Sequence, residues 1–440
     1  MPLGEINFSQ FSELLQAKGV KRLLIKHLAE NDNSKNQIYL GTGDMALMQM
    51  LPHTGLFSDK TTKRENFKAK VDFYWLDEDQ NINHAPHSQL IFYPDYPEIR
   101  FSGFLIGAKN APSKLMRERL SGRVMFFGIC DDGKVIGYVT TTDQRLIKEI
   151  EGQGVFERVG VLSQIPLQEK FEDPKVILLK QLKRINGLGW INAKRLTTEG
   201  LMDCFGQNCG GLTLEAELGI YSNSRSEPDF MGYEVKQYAV RDFNRVESGS
   251  AITLMTPEPQ GGLYKSKGVE AFIRKFGYPD KKISDRMNFS GVHYFNKRHP
   301  VTGLTLTING YEVETNKITD VDGSIELLTD KGVIVAAWKF VDIIAHWSRK
   351  HNHAAYVPSQ KRTDALLQYC YGHIVLLAGK TDPLFLFRAI AGGKVYYDPG
   401  IHLDNMSSRP STKRRNQFRI RSKNVGSLYG YISQVNLLTI

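Results

Sequence analysis

Over residues 1–165 apolar and polar positions alternate in short runs, at 37–40, 69–76, 89–93, 123–129 and 135–140. Period-two alternation turns one face of a strand to a core and the other to water. Turn residues separate the runs, as in Asp77-Glu78-Asp79 and Asp131-Asp132-Gly133. Residues 8–24 and 113–120 instead carry helical spacing and predict amphipathic helices. Many short strands at this spacing predict a mostly-β domain, a small barrel or a sandwich.

The pattern changes further on. Pro166, Pro174 and the charged run 168–173 read as a linker over 166–178. Helical spacing resumes at Val176 and runs to the turn Gly187-Leu188-Gly189. Leu212, Leu214, Leu218 and Ile220 suit a short helix, and 250–255 a core strand. Asn309-Gly310, Asp322-Gly323 and Asp330-Lys331-Gly332 punctuate 301–340 as a β-meander. Residues 338–349 read as a helix, and 354–358 and 374–378 as buried strands. The chain is thus expected to hold a β-rich domain (1–165), a linker (166–178) and an α/β (α+β) domain with a mixed sheet flanked by helices (179–440).

Length and composition fit that division. With 440 residues the chain exceeds one ordinary core. Its 41% hydrophobic and 10% aromatic content excludes a disordered chain. Lys and Arg number 57 against 47 Asp and Glu, a net charge of +10 that points to a polyanionic partner, nucleic acid first. The basic residues cluster in Lys109, Lys114, Arg117, Arg119 and Arg123, and again in Lys413-Arg414-Arg415, Asn416, Arg419, Arg421 and Lys423, with His402, Asp404 and Arg409 just before. Such side chains can grip phosphates and read base edges, although a solvated basic surface has the same composition. Cys130, Cys204, Cys209 and Cys370 lack metal-ligand spacing and are expected as reduced, buried thiols. The N-terminal residues do not resemble a secretion signal, and no apolar run approaches the roughly 18 residues of a membrane span, so a cytoplasmic protein is expected.

One stretch carries chemistry. Pro228-Asp229 is followed, four residues on, by Glu234-Val235-Lys236. Two carboxylates supply the oxygen ligands that Mg²⁺ prefers, and a lysine beside them can orient a water and offset charge on a phosphate. On a strand Glu234 and Lys236 point to one face and Val235 to the other. Glu215, on the preceding helix, can aim at the same cluster. Taken alone, the pattern also suits an exposed strand edge bearing a surface ion pair.

The surrounding series decides in favour of chemistry. Gly189-Trp190 with Lys194-Arg195, the helix Leu212-Thr213-Leu214-Glu215-Ala216-Glu217-Leu218, Pro228-Asp229-Phe230, Glu234-Val235-Lys236, Thr253-Leu254-Met255-Thr256, Ala337-Trp338-Lys339-Phe340 and the stretch from Gly400 to Phe418-Arg419-Ile420 occur in an order that resembles the MvaI/BcnI family of type II restriction endonucleases. The resemblance covers most of 180–440. It implies a PD-(D/E)xK nuclease core in which Asp229 and Glu234 hold Mg²⁺, Lys236 is the catalytic lysine and Glu215 an accessory acid, with Glu217 the weaker choice. It also implies DNA contacts from Lys194, Arg195, His402, Asp404, Arg409, Lys413, Arg414, Arg415, Asn416 and Arg419. The recognition loop differs in residue type, which leaves the target sequence open.

More faintly, 26–32 with Gln37-Ile38-Tyr39-Leu40 resembles the DNA-binding pseudobarrel of EcoRII-type effector domains. That likeness implies DNA contacts from Lys35, Gln37, Tyr39, Glu98 and Arg100, to which the basic run adds Lys109. The expected protein is a monomeric, Mg²⁺-dependent endonuclease acting on double-stranded DNA at a short near-palindromic site such as CCWGG. It would be activated by a second target copy and accompanied by a cognate methyltransferase. A strand-nicking repair enzyme of the MutH type and a non-catalytic DNA-binding regulator are the alternatives.

Overall fold

The computed structural model describes all residues except 1, 2, 4, 5, 63, 155, 157, 168–172, 222–227 and 245–248. The chain divides into two compact units, Met1–Glu172 and Asp173–Ile440.

In the first unit the strand Arg123–Cys130 is buried along its whole length. It lies between Val20–Leu28 and Val135–Thr141 in a seven-stranded sheet that is covered on both faces. Leu23, Ile25, Val124, Phe126, Ile136 and Tyr138 pack on one side with the helices Phe8–Ala17 and Arg145–Glu151. On the other side, Phe73 and Phe127 meet Phe101 of a five-stranded antiparallel sheet, ring centroids 5.1 and 5.7 Å apart. Covering both faces removes the alternation that a half-exposed strand would show.

Two expected boundaries move. The helix expected over 8–24 ends at Ala17, because Gly19 takes a left-handed conformation (φ +89°) and Val20–Leu28 continues as a strand. The run 69–76 is two strands, Asn66–Lys70 and Phe73–Leu76, in different sheets.

The second unit begins with the helix Pro174–Gly187, capped by Asp173, whose side chain accepts the Lys175 amide; it starts within the stretch read as linker. Leu178, Leu182 and Ile185 of this helix pack with Leu214, Val235, Ala355, Val357 and Leu377. That core lies on one face of a sheet ordered Ile191–Asn192, Leu367–Tyr371, His353–Thr363, Ile374–Gly379 and Tyr431–Asn436. The strand Tyr233–Ala239 joins it by pairing parallel with His353–Thr363, residue 234 opposite 354 and 236 opposite 356. Val235 faces the helices, so Glu234 and Lys236 face the other way.

The meander expected over 301–340 is present as Thr305–Asn309, Ser324–Leu328 and Ile334–Lys339. Trp338 lies within the last of these strands, which ends at Lys339, and the helix expected from Trp338 starts at Phe340 and runs to Lys350. The stretch read as a basic loop over 400–420 is largely a hairpin, Gly400–Asp404 with Ser411–Lys413. Its return strand Phe418–Arg421 lies between Ala251–Met255 and Val395–Tyr397. Cys204 and Cys209 form a disulfide, with Cα atoms 5.7 Å apart, and so are not the reduced thiols expected; Cys130 and Cys370 are free. Four intervening residues fold back far enough to bring the pair within bonding range, which the spacing alone did not reveal.

Candidate active site

A tight turn sets the two carboxylates opposite each other. Phe230 and Tyr233 exchange backbone hydrogen bonds of 2.9 and 2.8 Å. Only Met231 and Gly232 lie between them, both with positive φ (+46° and +89°). That is the geometry of a two-residue hairpin turn. Asp229 therefore stands across from Glu234, and the four-residue spacing of the motif follows from one turn plus one bonded pair. Asp229 Oδ2 accepts the Val235 amide at 2.9 Å, which fixes the carboxylate against the strand.

Glu234 is fully buried. Its Oε1 accepts hydrogen bonds from Lys236 Nζ and, at 3.4 Å, from Lys350 Nζ. Its Oε2 is buried and has no hydrogen-bond partner. An unsatisfied buried charged oxygen is costly unless something else occupies it.

Behind this pair lies a neutral floor. His351 stacks on Trp347 at 4.0 Å, with Nδ1 3.1 Å from the Tyr429 hydroxyl and Nε2 3.2 Å from the Leu254 carbonyl. Burial pushes the His351 imidazole down to about 3. The Tyr356 and Tyr429 hydroxyls are 2.8 Å apart.

In front of it is a cleft of about 500 Å³, lined by Glu215, Asp229, Lys236 and Lys350 with Tyr221, Phe230 and Met231 among its walls. Burial, followed by repulsion from Glu234, pushes the Asp229 carboxyl up to about 7. Burial also raises Glu215. For Glu234 burial acts in the same direction, but the Lys236 and Lys350 ammonium groups outweigh it and hold the carboxylate below its ordinary value. Burial works against a charged Lys236, yet Glu234 and Asp229 overcome it and hold the ammonium protonated well above its usual range. The cleft therefore has one firmly ionised carboxylate, a second that titrates near neutrality, and a fixed cation.

These donors suit a hard divalent cation. Among the described residues no group of three or more His, Cys, Asp and Glu has metal-binding geometry. Mg²⁺ commonly takes only one or two protein carboxylates, with water and substrate phosphate completing its shell. Asp229 and the unpartnered Glu234 Oε2 meet that requirement.

A family model described as the MvaI/BcnI restriction endonuclease family matches residues 179–429. The chain belongs to that family. It is a type II DNA endonuclease. Among solved structures it is similar to the restriction endonuclease MvaI in complex with cognate DNA, at 16% identity over 60% of this chain and 99% of that one, with a TM-score of 0.45. A structure of MvaI without DNA matches at 16% identity over 61% and 100% of the two chains, with a TM-score of 0.33. No curated protein matches.

The motif residues and Glu215 converge on one cleft. Glu217 does not: it pairs with Lys194 at 2.5 Å and Arg184 at 3.3 Å. That pairing also commits Lys194, while Arg195 is exposed on the hairpin Lys194–Thr197/Gly200–Asp203.

In and just after the hairpin Gly400–Asp404/Ser411–Lys413, Arg409, Lys413, Arg414 and Arg415 are exposed. His402 lies 3.3 Å from Asp404, which also receives the Arg286 guanidinium. Asn416, expected to read DNA, is instead buried. Its amide donates to Glu258 at 2.9 Å and to Tyr264 at 3.0 Å, and accepts from Tyr397 at 2.6 Å. It anchors the hairpin's return. Arg419 likewise holds Asp398 at 2.7 Å.

In the first unit Gln37, Tyr39, Glu98 and Arg100 share the outer face of the five-stranded sheet, since Ile38, Leu40, Ile99 and Phe101 take the buried face. Arg100 pairs with Glu98 at 3.1 Å and donates to the Asn36 carbonyl at 3.0 Å. Lys35 is exposed beside this face, and Lys109 is exposed in a separate loop. Arg123 of the basic run is buried, donating to the Leu115, Leu120 and Ala29 carbonyls, so it braces loops and cannot grip a duplex. Lys350 and the His351 floor escaped sequence reasoning, because they enter from a helix end more than a hundred residues after the motif.

Proposed function

We propose that this chain hydrolyses phosphodiester bonds of double-stranded DNA with Mg²⁺, at a short near-palindromic site such as CCWGG, as a monomer making two successive nicks. The observation that carries this reading is the Glu234 carboxylate, with one oxygen on Lys236 and the other buried without a partner, facing Asp229 across a two-residue turn.

Asp229 and Glu234 would hold the cation, which when bound supplies Lewis-acid stabilisation of the charge developing on the phosphate oxygens. Lys236 orients the attacking water and, staying protonated, offsets negative charge at the reaction centre. Glu215, at the cleft wall with its carboxyl raised, can hold a proton near the departing or attacking oxygen. The exposed basic residues of the recognition hairpin contact phosphates and bases, and the outer face bearing Gln37, Tyr39, Glu98 and Arg100 binds the second, activating copy of the site. The protein would work beside a methyltransferase that protects the same sequence.

Purified protein with plasmid DNA and Mg²⁺ tests this. Discrete double-strand fragments are expected, with cleavage lost in Asp229→Ala and Glu234→Gln while specific binding remains. Cutting at wild-type rate by either variant refutes the site assignment. An added short cognate duplex should change the rate of the full chain; an unchanged rate removes the effector role.

A further inference from the structure

We propose that Lys350 is a second phosphate-binding lysine of the cleft, parked on Glu234 until a divalent cation and DNA arrive. The inference rests on the phosphodiesterase reading of this site and extends it to a residue far from the motif in sequence.

Lys350 is the last residue of the helix Phe340–Lys350, where the helix dipole favours a cation. Its Nζ lies 3.4 Å from Glu234 Oε1. A charge-assisted contact normally closes to roughly 2.7–2.9 Å. The oxygen it reaches is already taken, more tightly, by Lys236. Glu234 therefore has two ammonium groups on one oxygen and none on the other. One lysine suffices to pair that oxygen, so the second is held there only by a longer, weaker contact.

That balance reverses on loading. With a divalent cation held by Asp229 and Glu234, Lys350 would face added positive charge and its hold on Oε1 would weaken. Lys350 lines the same cleft as Glu215, Asp229 and Lys236, and its side chain keeps some solvent exposure, so its flexible stem can swing into the cleft. The anion that enters there is the scissile phosphate. Lys350 then donates to a non-bridging oxygen, leaving Lys236 for the water. Through its contact with Oε1 it also competes with the cation for Glu234.

A duplex carrying the site mapped from wild-type fragment ends, prepared with a phosphate or an uncharged methylphosphonate at the scissile position, isolates this contact. Binding is measured with Ca²⁺ in place of Mg²⁺ for wild type, Lys350→Met and Lys350→Arg. Lys350→Met should weaken binding of the normal duplex about ten-fold, the loss of one contact to a charged group, and of the methylphosphonate duplex less than about two-fold. Lys350→Arg should retain binding of the normal duplex. In calorimetry without DNA, Lys350→Met should bind Mn²⁺ more tightly than wild type, because a competing cation is gone.

Equal weakening on both duplexes, or none on either, overturns the proposal, as does weaker Mn²⁺ binding by Lys350→Met. A wild-type protein that cleaves no DNA in Mg²⁺ fails the underlying reading instead. Matching melting curves for the three proteins separate the effect from misfolding.

Discussion

Asp229→Asn should stabilise the metal-free protein, and more so as pH rises. The wild-type carboxyl is pushed up to about 7 because it is buried and faces Glu234. In an unfolded chain it ionises near 3.9. Between about pH 4 and 7 the folded state therefore holds a proton that the unfolded state releases, and stability falls with rising pH. At about 1.4 kcal/mol per pH unit the full penalty is on the order of 4 kcal/mol above neutrality, and more than half of it accumulates between pH 5 and 8. Asparagine is isosteric and can still accept the Val235 amide, so it removes the charge and keeps the contact. Denaturation in a chelating buffer, following the transition of the Asp173–Ile440 unit, should show the variant's advantage growing by that amount. In a unit of this size the added difference corresponds to roughly 5 °C in midpoint. A divalent cation at pH 8 should restore the wild type and leave Asp229→Asn unmoved. An advantage that stays constant from pH 5 to 8 would refute the placement of Asp229 opposite a buried, ionised Glu234.

Three further outcomes test other parts of the site. Glu215→Gln should slow cleavage about a hundred-fold or more in single-turnover assays, the usual worth of a positioned acid or base, whereas Glu217→Gln should cost about 1 kcal/mol of stability or less and little rate. Asn416→Ala leaves the Tyr397 hydroxyl and Glu258 Oε1 without Asn416, while Glu258 Oε2 keeps Tyr264, and should destabilise the Asp173–Ile440 unit by about 2–3 kcal/mol in urea titrations. Reduction of Cys204–Cys209, compared with Cys204→Ser/Cys209→Ser by calorimetry, should lower stability by about 2 kcal/mol, the loop-closure value for so short a ring.

How much could be read beforehand follows the range of the forces involved. The strand bearing Glu234 and Lys236 was legible because alternation is local, and Glu215 because helical spacing is local. The helix end at Ala17 and the helix start at Phe340 differ from the expected bounds because apolar spacing serves both structures, and one glycine or one pairing partner decides. Composition marked Asn416 as a polar loop residue, but burial is set by Glu258, Tyr264 and Tyr397, which arrive from elsewhere in the chain. A polar residue beside a basic cluster carries no local sign of which side of the backbone water occupies.

The carboxylate pair shows why a loose motif can still be strict chemistry. Aspartate and glutamate five positions apart are common in any sequence. They become opposed only when the two residues between the bonded pair, here Met231 and Gly232, both accept positive φ, which methionine does at some strain and glycine freely. The turn would be wasted on a surface ion pair, because it places two like charges together and buries both. Burial, with repulsion from Glu234 behind it, raises Asp229 to about 7, and burial leaves Glu234 Oε2 without a donor. A fold tolerates such a cost where the strain is part of function, and a cation shared by the two carboxylates relieves both defects at once.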